Sequence, residues 1–125
     1  MPKINLDAIS VEPGSGYPAP FDSPCAQRLR QRHWHSHEDE FVYVLAGELT
    51  LVEDMGPTVL RAGDCAGFPK GTGNGHHLQN SGGIAAVYLE IGSRQPDDLA
   101  TCSDIDLMSY NSDGKWRHKD GTAYS

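Results

Sequence analysis

No stretch of the chain approaches the ~20 consecutive apolar residues of a membrane-spanning helix. Residues 1–10 carry neither a basic flank nor a long apolar run, so no signal peptide is expected. Positive charge is scarce: Lys and Arg number 10 against 17 Asp and Glu, giving a formal net charge of -7. That balance argues against nucleic acid and anionic membrane as partners. Cysteine is limited to Cys25, Cys65 and Cys102, an odd number with no C-x-x-C pair. A reduced, cytoplasmic setting is the simplest reading, with each thiol a small buried side chain. Internal repeats and low-complexity tracts are lacking too.

Glycine and proline are abundant, at 14 and 8, which favours many turns over long helices. Against that background one stretch stands apart. His33-Trp34-His35-Ser36-His37-Glu38-Asp39-Glu40 crowds three imidazoles and three carboxylates together, and Phe41-Val42-Tyr43-Val44-Leu45 follows at once. Imidazole and carboxylate are ligands for divalent transition metals. The β-branched and aromatic run after them reads as a strand. A metal site built on sheet is the first expectation.

Residues 1–24 show no sustained periodicity, and the prolines and glycines of 13–20 exclude a helix there. Residues 1–26 read as an extended arm anchored by Tyr17 and Phe21. From Gln27 the parity alternates. Arg28, Arg30, Arg32 and Trp34 share one face of a strand, while Gln27, Leu29, Gln31, His33 and His35 share the inward one. The basic face reads as solvated, or as a dock for acidic segments or a second subunit. His35 and Glu40 lie an odd number of steps apart, so a turn or bulge over 36–39 must intervene if both bind one ion. Beyond it Glu40, Val42 and Val44 share a face, with Phe41, Tyr43 and Leu45 on the other. Ala46-Gly47 reads as the turn of a hairpin returning over 48–52. Further strands are expected over 58–60, 64–68, 76–80 and 84–91, with a glycine-rich loop over 69–75. Residues 96–100 read as one helical turn, 104–109 as an edge strand and 120–125 as a loose tail. Many short strands at regular turn spacing mean an all-β sandwich or small barrel.

Two patterns resemble motifs of the cupin superfamily. The first motif runs glycine, His-x-His, three or four residues, Glu, six residues and Gly. Here His33-x-His35 is followed by four residues, Glu40, six more and Gly47. The second is matched by Gly63, five residues, Pro69-Lys70-Gly71, His76 and Asn80, with four residues rather than two between Gly71 and His76. The motifs cover residues 27–80, and the wording looks like a bacterial group of single-domain cupins. Two departures stand out: the first motif's glycine position falls on Gln27, and the segment before His33 is short by about a strand.

The resemblance implies a jelly-roll barrel, the double-stranded β-helix, with its core over 27–92. The arm 1–26 and a C-terminal extension over 93–125 would pack on it. The shortened region implies a barrel open at one side, its exposed edge covered by a partner subunit in a homodimer. The resemblance also implies that His33, His35, Glu40 and His76 bind one ion. Three neutral nitrogens and one carboxylate suit Zn, Mn, Fe, Ni, Co or Cu, and leave a coordination position for water or substrate. His37 is the alternative ligand. His77, of opposite parity to His76, should face away; Glu38 and Asp39 read as a solvated acidic turn, and His118 as tail.

Cupins host many chemistries. The leading expectation is a metal-dependent enzyme whose ion acts as Lewis acid on a small molecule, with hydrolysis, lyase or isomerase, and oxygenase chemistry all open. Glu40 would hold the ion and move protons, while Tyr43, Gln31 or Asn74 would orient substrate. The rival is a non-catalytic module that binds a small ligand for sensing. The sequence has no basic recognition helix for DNA.

Overall fold

The computed structural model describes residues 31–124 and the backbone of residues 9–12. Tyr17, Phe21, Cys25 and the part of the basic stripe over 27–30 lie outside the described residues. In chain order the strands are β1 (Ile9–Glu12), β2 (His33–His35), β3 (Glu40–Ala46), β4 (Glu48–Glu53), β5 (Gly56–Arg61) and β6 (Cys65–Phe68). They continue with β7 (His77–Gln79), β8 (Ala86–Gly92), β9 (Leu99–Cys102), β10 (Met108–Tyr110) and β11 (Trp116–Arg117). No helix occurs among the described residues.

All the strand pairs are antiparallel, and they form ladders in the orders β1-β8-β3-β6, β11-β10-β9-β2 and β5-β4-β7. The second and third ladders meet at a bridge between His33 and His76, whose backbone groups exchange hydrogen bonds of 3.2 and 3.0 Å. The result is the expected all-β jelly roll, with two walls facing each other. Alternation decides which residues enter the core. Val42 and Val44 of β3 and Ala86 and Tyr88 of β8 meet Leu49 and Leu51 of β4, Leu60 of β5 and Leu78 of β7. Burying a side chain of this size contributes roughly 1.5–3 kcal/mol each, as an upper estimate.

Three sequence expectations need correcting. The first is the hairpin at Ala46-Gly47. β3 pairs with β6 and β8, and β4 with β5 and β7, so the chain changes walls at this point. A bulge between Val44 and Ala46 bends β3, and Gly47 turns with φ 78°. A Cβ at Gly47 would lie 2.9 Å from both Ala85 O and Ala86 Cα, so the crossing needs glycine. The second is the helical turn over 96–100: only Pro96-Asp97 turn, and Leu99 opens β9, which pairs with β2 and β10. Polar, turn-forming residues before an unrecognised strand produced the helical reading. The third is the exposure of Cys65, which lies on the outer side of β6, whereas Cys102 is buried.

Of the basic stripe, Arg32 is no solvated cation. It docks acidic loops, reaching Asp54 at 2.6 Å and Asp104 at 2.8 Å, and donates to Gly75 O at 3.3 Å. The free edge of β8 is covered by the chain's own β1, in register from Ile9↔Leu89 to Glu12↔Ala86. At that edge no partner strand is required. Near the C-terminus Arg117 bridges to Ala123, and His118 donates from Nδ1 to Asp106 at 2.8 Å and stacks on Tyr124.

Candidate metal centre

His33 and His35 point inward from β2 because period two puts them on one face, and both are 6% exposed. The main-chain bridge at His33 sets His76 beside it, with ring centres 5.1 Å apart. Phe68 stacks on the His76 ring at 3.6 Å and fixes its plane. Three imidazoles therefore come from one wall. Glu40 comes from the other, as the first residue of β3. The irregular segment 36–39 between β2 and β3 supplies the change of facing that the odd spacing demanded.

Ligand atoms of His33, His35 and Glu40 lie within 4.8 Å of one another. His35 Nε2 is 2.9 Å from Glu40 Oε1, and His76 Nε2 is 2.7 Å from Glu40 Oε2. The four residues expected from the sequence thus converge, with His76 joined to the group through the second Glu40 carboxylate oxygen.

The outer nitrogens are held as well. His33 donates from Nδ1 to the Gln31 carbonyl at 2.9 Å, so Gln31 acts through its backbone. His35 meets Asp98 Oδ2 from Nδ1 at 2.5 Å, and the His37 N–H donates to Asp98 Oδ1 at 3.0 Å. A ligand histidine characteristically gives its other nitrogen to a carboxylate or carbonyl, which fixes the ring and its tautomer. Asp98, 2% exposed, was missed in the sequence. Its only signal was shared parity with Ala100 and Cys102, which is visible once β9 is known to be a strand.

Two further carboxylates reach this end of the barrel. Glu38 is not solvated: it is 4% exposed, and its carboxylate occupies the space left by Gly92, where a Cβ would sit 2.2 Å from Glu38 Oε1. Glu90 pairs in register with the buried Val42 and shares the inward parity of Ala86 and Tyr88. The alternation of residues 84–91 contained this signal. It was masked because Val87, Leu89 and Ile91, the more apolar set, face the other way.

Other sequence candidates fall elsewhere. Tyr43 is 38% exposed on the face of β3 opposite to Glu40, so the structure does not bring it to the centre. His37 has a side chain 55% exposed and bonds Ser36 Oγ through Nδ1 at 2.8 Å, outside the cluster. Asn74 lines a cavity of about 50 Å³ with His35, Phe68 and His76, room for an ion or a water. Its amide is committed to Glu53 Oε1 and the Asp54 N–H.

Electrostatics sorts the groups. Burial pulls His33 down to about 4, so its imidazole is neutral at pH 7. Burial acts on His35 in the same direction, but Glu40 and Asp98 outweigh it and raise His35 to about 9. Burial would raise Glu40, yet the close His35 and His76 rings prevail and hold it well below the usual carboxylate range. Burial pushes Glu90 up to about 7, and the nearby Glu40 charge adds to the rise. Burial also raises Glu38.

The donor set fits a divalent transition ion. His35 Nε2 is buried without an aligned hydrogen-bond partner, even though Glu40 Oε1 is close. A buried ring nitrogen so placed, beside a neutral imidazole and a fixed carboxylate, is what a cation would satisfy. His33, His35, Glu40 and His76 would hold it.

A small antiparallel β-barrel with a His/Glu cluster strung between its two walls defines the class. A family model described as the cupin domain matches residues 26–92, and the chain belongs to the cupin superfamily. Among solved structures it is similar to a sugar phosphate isomerase of the cupin superfamily from Silicibacter pomeroyi. Identity is 33% over 99% of this chain and 97% of that one, with a TM-score of 0.71. It is also similar to a protein from Acidithiobacillus ferrooxidans with a provisional sugar phosphate isomerase assignment. There the identity is 32%, the coverage 70% of this chain and 55% of that one, and the TM-score 0.63. No functionally curated protein matches the chain.

Proposed function

We propose that the protein is a metal-dependent isomerase acting on a small phosphorylated sugar. The observation that carries this reading is the meeting of two kinds of carboxylate at one end of the barrel. Glu40 is locked as an anion between His35 and His76. Glu90 is inward-facing, half-buried and raised to about 7. Aldose–ketose interconversion moves a proton between adjacent carbons, and such a step needs a base that titrates near working pH. Glu90 fits that role, and Glu40 fits a ligand's. A bound divalent ion would supply Lewis-acid polarisation of a substrate oxygen. His33 would ligate without first losing a proton, and Asp98 would keep His35 in place. The similarity to the Silicibacter pomeroyi isomerase over nearly the whole of both chains supports the substrate class. A homodimer is part of the reading, supported by the apolar outer face of β3.

The test begins with elemental analysis of protein purified without a histidine tag. A panel of sugar phosphates in deuterium oxide follows, with and without chelator, monitored by NMR. Chelator-sensitive interconversion with deuterium entering at the carbon next to the carbonyl is expected. A metal-loaded protein that binds a small ligand without turning it over would favour the sensing module instead.

A further inference from the structure

Arg94 is the one non-glycine residue with a left-handed backbone among the described residues, at φ 51°. A side chain with a Cβ is strained there, and such strain persists at functional sites when the surroundings enforce it. Arg94 lies two residues beyond Gly92, which pairs with Glu40. The rim around it is tied down. Ser93 N–H donates to Asp39 O at 2.9 Å, Asp39 N–H to Ser93 Oγ at 3.0 Å, and Lys70 N–H to Asp39 Oδ1 at 2.9 Å.

The Arg94 side chain is 64% exposed, and its Nη1 stands 3.9 Å from Oε1 of the nearly buried Glu38. That is longer than a charge-assisted hydrogen bond, and Arg94 makes no hydrogen bond among the described residues. The other described arginines are held at 3.2 Å or less, Arg32 by Asp54 and Asp104, Arg61 by Glu48 and Arg117 by Asp113. Arg94 thus combines a strained backbone, a free fork of donors and a place beside Glu38, whose carboxylate lies within 4.8 Å of ligand atoms of His35 and Asp98.

We propose that Arg94 recognises the phosphate group of the substrate at the rim of the metal centre. This rests on the isomerase reading. A guanidinium matches phosphate with two parallel N–H···O bonds, which a point charge does not. The need for it is electrostatic. Glu38, Glu40, Glu90 and Asp98 crowd this end of a chain whose net charge is -7, and an approaching dianion is repelled unless a cation faces it. Glu38 stays behind, its carboxylate confined over Gly92, while the exposed guanidinium engages the ligand.

The test uses the full-length, metal-loaded protein with Arg94→Asn and Arg94→Lys. Asn tolerates the left-handed conformation, so this variant should melt no lower than wild type and keep its metal. Calorimetric titrations use inorganic phosphate, glucose 6-phosphate, glucose and gluconate. Wild type should bind glucose 6-phosphate at least tenfold more tightly than glucose or gluconate. Arg94→Asn should lose at least tenfold for both phosphate probes, with Arg94→Lys in between. Equal affinity in Arg94→Asn, no phosphate binding by wild type, or gluconate binding as tight as phosphate would each overturn the proposal. Arg94-dependent phosphate binding without turnover of any sugar phosphate would sink the isomerase reading and leave Arg94 in place. Turnover with an unchanged KM in Arg94→Asn would sink the Arg94 assignment alone.

Discussion

Two histidines on one short strand, two residues apart, are driven in opposite directions. His33 has only a carbonyl for its Nδ1–H, so burial dominates and its value falls to about 4 from 6.5. His35 sits between Glu40 and Asp98 and rises to about 9. His33 contributes fully to stability above pH 6.5 and its contribution is lost as pH falls toward 4. His35 contributes fully below pH 6.5, and that is lost as pH rises through 9. Glu90, raised from 4.5 to about 7, loses its contribution as pH rises through 7 and offsets the His33 gain between pH 4.5 and 6.5. Chelator-treated protein should therefore hold a plateau up to about pH 6.5 and decline on an alkaline flank above it, by up to about 1.4 kcal/mol per pH unit for each titrating group. A metal on His35 Nε2 replaces the proton, so the alkaline flank should flatten and affinity should rise about tenfold per pH unit up to pH 9. Melting curves from pH 5 to 10, with chelator and with zinc, check this. An alkaline decline that is the same in both would count against a ligand role for His35. Asp98→Asn should keep the fold and weaken zinc binding about 10–100-fold. Unchanged affinity in a competition assay would show that Asp98 does not orient the ring.

Among the elements, the crossing between β3 and β4 governs whether the two walls close. Gly47 allows the turn at φ 78° while Ala85 and Ala86 press against it. Gly47→Ala adds left-handed strain and overlap together, and should cost about 2–4 kcal/mol in urea unfolding. A loss below about 1 kcal/mol would mean that β3 can bend elsewhere. Here the sequence was half legible. It marked Gly47 as a turn, and the periodicity of residues 40–45 separated Val42 and Val44 from Phe41 and Tyr43 correctly. It did not show that the turn changes walls, because local pattern carries no information on which strand pairs with which. The same holds for the centre. That His33, His35, Glu40 and His76 come together was readable because their spacing follows a recurring motif. Asp98 and Glu38 were not, since a lone carboxylate next to a turn looks solvated until its partner is known. Arg32 is intermediate: its parity was readable, whereas its partners Asp54 and Asp104 belong to loops remote in sequence.

At the scale of the whole molecule, the outer face of one wall breaks the usual alternation of an antiparallel sheet, apolar in and polar out. Phe41, Tyr43 and Leu45 are exposed by 38, 38 and 48%. In register, Phe41 stands between Ile91 and Gly67, and Tyr43 between Leu89 and Cys65, so apolar rows cross three strands. A row of this kind on a single chain favours association, and a two-fold copy of the same face satisfies it without exposing new edges. We therefore expect a dimer at micromolar concentration by size-exclusion with light scattering. Leu45→Glu or Phe41→Glu should shift it to monomer. Because these residues have the opposite parity to Glu40, Val42 and Val44, the monomer should keep its metal stoichiometry and its β-rich circular dichroism. A wild-type monomer at that concentration would end the expectation. A variant that loses metal together with its partner would mean instead that the outer face supports the centre, making subunit contact and ion binding one cooperative unit.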